Sequence, residues 1–350
     1  DVHSKIEFLL TQELGETGKK IHAARSRNDQ VLVACQLYLK AELEAIKTEV
    51  LALFDLLMDL AEQHKNTLMP GYTHLQVAMP SSFGLWFSAY AEGLVDDLYL
   101  AHAAYKTTDQ NPLGSAAGYG SSFPIDREMT TRELGFSTLK YNVVAAQMGR
   151  GKTEKAVGYA MASLGGTLGR LAMDICLYMG QDFGFISFPD QLTTGSSIMP
   201  HKKNPDVFEL IRGKSALLQA LPNTLTLLTN NLPSGYHREY QLLKEVLFPA
   251  IANLKSCLDM MRFGLKDIIV NPGITDQSKY DYLFSVDALN EKVLQGMPFR
   301  DAYKSLGAEI AKGTYLPKRD INHTHIGSIG APGFEQIKAK MQRASDWSNN

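Results

Sequence analysis

The chain has 350 residues, 45% hydrophobic and 21% charged, a composition that excludes disorder as its main character. Thirty-five Lys and Arg against 37 Asp and Glu leave a formal charge of -2, so there is no bulk positive field for nucleic acid or an anionic membrane. Three cysteines, Cys35, Cys176 and Cys257, lie far apart with no Cys-x-x-Cys spacing, as expected of reduced core thiols in a cytoplasmic protein.

The sequence begins at Asp1 with neither a methionine nor a basic-then-apolar leader, which reads as a missing N-terminal piece. No apolar run is long enough for a membrane span; the richest, Leu51 to Phe54, meets Asp55 at once. From Val31 through Cys35, Leu39, Leu43, Ile46, Val50, Leu53 and Leu57 to Leu60, apolar residues recur in steps of three and four. That spacing predicts a helix about 45 Å long at ~1.5 Å per residue. Asp29 stands where a cap or first-turn acid belongs, and Pro70-Gly71 stops the chain soon after the helix end. Beyond Leu51, off-stripe residues such as Phe54 and Met58 require cover on more than one side.

Further helical spans are predicted over 81–106, 154–182, 206–220 and 241–266, the last with a kink at Pro249. The fold class is therefore all-α, a bundle of five long helices. The 154–182 span is rich in glycine and alanine, which suits the crowded centre of the bundle or a subunit boundary. Strand signals are sparse, Gly184 to Phe188 being the best. Polar connections are expected at 22–30, 71–76, 111–124, 193–205 and 233–241, where loops on a rigid scaffold would carry chemistry. After about Asp267 prolines return, which predicts a smaller helical C-terminal domain with a frayed polar tail after Gly330.

Four stretches carry chemical potential. Gly195-Ser196-Ser197-Ile198-Met199-Pro200-His201-Lys202-Lys203-Asn204-Pro205-Asp206 combines serines, cations and a helix start, with Asn204 expected at the N-cap and Pro205 at the first helical position. By pattern alone it suits either a carboxylate site or a capped helix behind a solvated basic loop. Gly71-Tyr72-Thr73-His74-Leu75-Gln76 offers an imidazole at the start of a helical span, an acid or base near neutral pH or simply a solvated side chain. The arginines of Arg25-Ser26-Arg27-Asn28-Asp29-Gln30 could bind carboxylates or surface acids. In Tyr236 to Lys244, Tyr236, Gln241 and Lys244 could reach one ligand if a loop passes into a helix there.

Two other signals fail. Met148-Gly149-Arg150-Gly151-Lys152-Thr153 has Ala146 where a P-loop needs glycine, and Gly114 to Gly120 lacks a surrounding strand-helix-strand unit. Asp320, His323 and His325 read as surface residues before they read as a metal site.

Taken together, the four stretches resemble the fumarase/aspartase superfamily. Gly195 to Pro200 followed by Lys202, Asn204 and Pro205 is similar to its signature, while Lys203, Arg25 to Gln30 and Gly71 to Gln76 are similar to its argininosuccinate lyase and delta-crystallin branch. The likeness runs from Asp1 to about Gly330. It implies a homotetramer built on the five-helix bundle, each active site shared by three subunits. It divides the chain into 1–27, the remainder of an N-terminal domain, 28–267, the bundle, and 268–350, the C-terminal helical domain and tail.

The activity implied is reversible elimination of fumarate from argininosuccinate to give arginine, without cofactor or metal. His74 and Ser196 are the implied acid and base pair, with either role open to each; Glu209 is the carboxylate partner of His74; Lys202 and Asn204 hold the carboxylate that takes up the carbanion charge. A serine at its ordinary pKa is a poor base, so Ser196 would need loop amides and Lys202 beside it. Asn28, Thr73, Tyr236, Gln241 and Lys244 are implied to bind substrate, and Arg25 and Arg27 to organise the site. The resemblance also implies a substrate-contacting serine upstream of Asp1. The sequence departs from the branch pattern at His201, where Gln is usual, and at Arg150 to Thr153, where an S-x-R-D-like stretch is expected. The rival readings are a lyase for another succinyl adduct, such as adenylosuccinate, and a catalytically silent crystallin-like relative.

Overall fold

A computed structural model describes residues 2–348. The apolar stripe of the first long span folds as expected into a helix, α2 (Arg27–Gln63), preceded by α1 (Val2–Leu14). Ser26 is the N-cap of α2, and the side chain of Asp29 returns to the Ser26 amide, a reciprocal cap that opens the helix inside the stretch read as a loop from His22. At 37 residues it is roughly 55 Å long at ~1.5 Å per residue.

Four more rods follow: α3 (Phe83–Thr108), α6 (Lys152–Met179), α7 (Asp206–Leu228) and α8 (Leu242–Leu265). Side-chain pairs fix their directions. Trp86 and Tyr90 near the start of α3 donate to Asp174 near the end of α6, while Ser163 and Thr167 near the middle of α6 donate to Asp97, so α3 and α6 are antiparallel. Gly264 at the end of α8 packs on Phe208 at the start of α7. Lys255 and Arg262 of α8 pair with Glu42 and Glu49 of α2, which makes α2 and α8 parallel. The five rods enclose one apolar core containing Leu53, Phe87, Leu164, Leu221 and Leu254. It is the predicted all-α bundle.

The finer expectations need correction in four places. The loop read at 71–76 belongs to a hairpin, β1 (Leu68–Thr73) antiparallel to β2 (Gln76–Ser82), since β-capable residues on both sides of a two-residue turn pair with each other. α7 continues past Ala220 and through Pro222, whose cost of about 3 kcal/mol is outweighed by burial against α6. The N-cap of α7 is Pro205, with no side-chain cap; Asn204 turns to Thr194 instead. The tail after Gly330 is not frayed over its described length: α11 (Phe334–Ser345) buries Phe334, Ile337, Met341 and Ala344 in the main core.

The remaining α-helices and strands are α4 (Arg127–Glu133), α5 (Val143–Met148), α9 (Ser285–Leu294), α10 (Phe299–Ala311) and two two-residue pairings, β3 (Gln110–Asn111) with β4 (Thr138–Leu139), and β5 (Ile186–Ser187) with β6 (Ile269–Val270). β5 falls inside the best strand signal of the sequence, Gly184 to Phe188. The three cysteines are free, and burial raises the pKa of each thiol. Among the described residues no helix is long and apolar enough to cross a membrane.

The outer face of α6, α7 and α8 is left apolar. Tyr159, Met173, Leu210, Leu217, Leu227 and Phe263 are all more than 40% exposed. Gly166, midway between Tyr159 and Met173, has open space where a side chain would be. Spacing of seven along α6 aligns these three positions in one stripe.

Two stability predictions follow from packing. A Cβ on Gly84 would lie 2.6 Å from Lys65 Cα and 2.9 Å from the Ala61 carbonyl oxygen, backbone that cannot swing away. Gly84→Ala is expected to cost about 1–3 kcal/mol; an unchanged thermal midpoint would contradict the close approach. His102 stacks on Trp347 with centroids 5.5 Å apart, and burial, then Lys106 and Lys47, lower its pKa. A lowered folded pKa means the unfolded chain binds the proton more readily, so this stability is present above the ordinary imidazole range and is lost as pH falls through it. His102→Phe should reduce the dependence of unfolding free energy on pH between about 5 and 7.

Candidate active site

The predicted site residues gather at the two ends of the bundle. At one end, Asp29 is fully buried in the first turn of α2. Its Oδ1 accepts the Ser26 amide at 2.9 Å, and its Oδ2 accepts the amides of Gly114 and Ala116 at 3.1 Å each. One carboxylate thus caps the helix and pins the 112–120 loop across it. Arg127 braces the same loop by donating to the carbonyls of Leu113, Tyr141 and Lys140 at 2.8–2.9 Å.

Beside this anchor, His3, Arg27, Asn28, Arg150, Tyr236, Arg238 and Gln241 line a cavity of about 260 Å³. Gln241 Nε2 donates to the Tyr236 hydroxyl at 2.6 Å. Lys244, in the first turn of α8, lies close enough to act with Arg150 on the Cys35 thiol. Arg25 is half-buried, and its Nη1 is covered without a hydrogen-bond partner. Six positions expected to bind or organise substrate, Arg25, Arg27, Asn28, Tyr236, Gln241 and Lys244, therefore share one end of the fold.

At the opposite end, the segment between β5 and α7 closes on itself. Thr194 and Asn204 exchange backbone hydrogen bonds of 3.2 and 2.8 Å, the side chain of Thr194 donates to Asp206, and Lys203 pairs with Asp190. Within the loop so closed, Ser196 Oγ accepts the amides of Ile198 and Met199 at 3.4 and 3.2 Å. Those amides favour a negatively charged oxygen over a neutral one. His201, Lys202, Lys203 and Asn204 line a cavity of about 400 Å³ against Cys176 and Met179 of α6. Glu209 is exposed in the first turn of α7.

His74 and Thr73 are exposed at the tip of the β1–β2 hairpin, also at this end. Tyr72 of β1 packs on Phe183 and Phe185, which follow α6, at centroid distances of 5.5 and 6.2 Å. The turn residues His74 and Leu75 have φ of 54° and 58°, a conformation that costs non-glycine residues on the order of 1 kcal/mol or more each. The imidazole is exposed on this turn. Among the described residues of one chain, no hydrogen bond or ion pair joins His74 to Glu209.

The two ends are joined by α6, whose 28 residues span roughly 42 Å. One small molecule cannot touch both ends of a single copy. Among the described residues, no group of three or more His, Cys, Asp and Glu could hold a metal ion, and His323 pairs instead with Asp287 at 2.7 Å.

The chain's sequence matches the Lyase family over residues 1–219. It is 57% identical to an argininosuccinate lyase of Parabacteroides distasonis over 98% of this chain and 77% of that protein. It is 55% identical to an argininosuccinate lyase of Phocaeicola vulgatus over its whole length and 78% of that protein. The chain belongs to the argininosuccinate lyase family. Among solved structures, an EDDS lyase in complex with formate superposes with a TM-score of 0.81 at 22% identity, covering 97% of this chain and 75% of that one. A class II fumarase from Schistosoma mansoni gives 0.70 at 17%, covering 92% and 71%. At those identities the likeness is one of fold.

Sequence reasoning passed over two residues of this family member's site region. The sequence marks Arg150 only as part of a failed phosphate motif and of a departure from the branch pattern, although it stands next to a Gly-Lys helix start beside the cavity. Asp29 was read as a cap alone; its second partner, the 112–120 loop, is 85 residues away and leaves no local signal. Asp29→Ala is expected to lower stability by roughly 2–4 kcal/mol, since it removes a cap and leaves the buried Gly114 amide and the half-buried Ala116 amide without their acceptor. Hydrogen exchange should accelerate first at Gly114 and Ala116; protection there unchanged would rule out the anchor.

Proposed function

We propose that this chain catalyses the reversible elimination of fumarate from argininosuccinate, releasing arginine. One observation carries the reading: a serine whose oxygen receives two backbone amides, in a closed loop with Lys202 and Asn204 beside a cavity. A base takes the proton from the carbon next to a succinyl carboxylate. The resulting charge spreads onto that carboxylate, which Lys202 and Asn204 stabilise. An acid then protonates the departing guanidino nitrogen. Ser196 and His74 form the acid and base pair, with Glu209 orienting the imidazole. Arg25, Arg27, Asn28, Thr73, Tyr236, Gln241 and Lys244 hold the rest of the substrate.

The separation of about 42 Å between the two ends supports sites completed by other copies of the chain. In an assembly with copies arranged head to tail, the 196–204 loop of one copy meets the Asn28 and Gln241 end of another, and the hairpin of a third brings His74 to Glu209. The uncovered apolar stripe on α6, α7 and α8 supports burial between subunits, and a homotetramer is the assembly proposed. The relatives named argininosuccinate lyase favour this substrate over other succinyl adducts. The domain division 1–27, 28–267 and 268–350 belongs to the same reading; a small separate core at Leu289, Ala302 and Leu306 supports it around α9 and α10, while α11 packs into the main core.

Fumarate release, followed by ultraviolet absorbance with argininosuccinate and separately with adenylosuccinate, tests the activity; turnover of the second alone would overturn it. Ser196→Ala should lower kcat by about a thousandfold or more with fold and assembly intact, and a near-normal rate would remove Ser196 from the chemistry. Because the two ends serve different sites, unfolding and reassembling Ser196→Ala together with Gln241→Ala should restore part of the activity that each variant lacks alone. No recovery in mixed assemblies would argue that each copy works by itself.

A further inference from the structure

Arg150 is 3% exposed and stands at the wall of the cavity shared by Asn28, Tyr236 and Gln241, just before the start of α6. Its guanidinium lies 5.7 and 5.8 Å from the ring centroids of Tyr236 and Tyr240. Its one hydrogen bond is a long contact of 3.5 Å from Nη2 to the Tyr240 carbonyl oxygen. Nη1 is covered and has no partner. Glu154, the acid that acts on this guanidinium, makes no ion pair with it and turns Oε2 to the Gly151 amide at 2.6 Å.

A buried cation without a paired carboxylate is costly to keep. Two aromatic faces offset only a part of that cost. The other charged or chargeable groups lining the cavity are Arg27, Arg238 and His3, with no acid among its described lining residues. The chemistry of this hollow is that of a receptor for an anion.

We infer that Arg150 draws the α-carboxylate of the amino-acid part of the substrate into this cavity, and so makes the protein prefer an amino acid to the corresponding decarboxylated amine. The inference rests on the proposed lyase reading and adds to it the residue that reads the far end of the substrate. Because Nη1 is covered, Arg150 acts by its charge across the cavity wall, where the local dielectric is low, more than by an open donor. A purely structural Arg150, clamped between two tyrosines, would support every substrate equally. A carboxylate reader distinguishes substrates that possess the group from those that lack it.

The test runs the reaction towards addition, with fumarate and either arginine or agmatine, in the full-length protein and in Arg150→Gln and Arg150→Lys, after circular dichroism has confirmed that each is folded. The ratio of kcat/KM for arginine over agmatine is expected to fall about tenfold or more in Arg150→Gln, through KM for arginine, with kcat changed less. Arg150→Lys keeps the charge and loses the planar fork, so it should retain most of the preference. An equal loss with both amines, leaving the ratio unchanged in a folded variant, overturns the inference alone. Absence of turnover with arginine in the unsubstituted protein overturns the reading of function and the inference with it.

Discussion

The stiffness of a hydrogen-bonded rod governs this molecule. A helix of 28 residues holds its ends roughly 42 Å apart, and five such rods packed side by side cannot fold back on themselves. Every chemical group that the sequence places between rods is therefore assigned to one end or the other. Asn28, Gln241 and Lys244 go to one; His74, Ser196 and Lys202 go to the other. Directions in the bundle follow from pairs such as Asp97 with Ser163 and Glu42 with Lys255. Separation of these groups within one copy is thus a property of the scaffold before it is a property of any single residue.

Within each end, local polar geometry does the positioning. Asp29 is effective because it is buried and has three amides on its two oxygens, so its charge is matched by donors that cannot move away. The 194–204 loop is organised differently: its base is tied by paired backbone hydrogen bonds and its outer residues, such as Ile198 at 83% exposure, face outward. A rigid base with an uncovered crown holds the serine segment in one place while leaving it open to solvent.

Much of this was legible in the sequence. The long helices were readable because their apolar residues keep one period over many turns, a signal that local errors do not erase; residues 31–60 are the plainest case. Ser196, Lys202 and Asn204 stood out because serines, cations and a helix start are crowded into a few residues. The hairpin at His74 was not legible, because its turn carries neither Asn-Gly nor Asp-Gly and its strands contain two prolines. Tertiary support from Tyr72 against Phe183, Phe185 and the Tyr280 hydroxyl holds what the turn sequence alone would not. Arg150 was illegible for the opposite reason: its surroundings come from residues 90 positions away.

The hairpin turn also bears on how this protein could change. Glycine at 74 or 75 would relax the backbone, and at 75 it would do so without deleting the imidazole, yet leucine stands there, 72% exposed. An oily side chain kept in water on a twisted backbone gains nothing inside the isolated chain. Leucine at 75 therefore keeps the turn in its twisted form without a local gain, and a glycine there is the simplest change that would loosen the segment carrying His74 while leaving the imidazole in place.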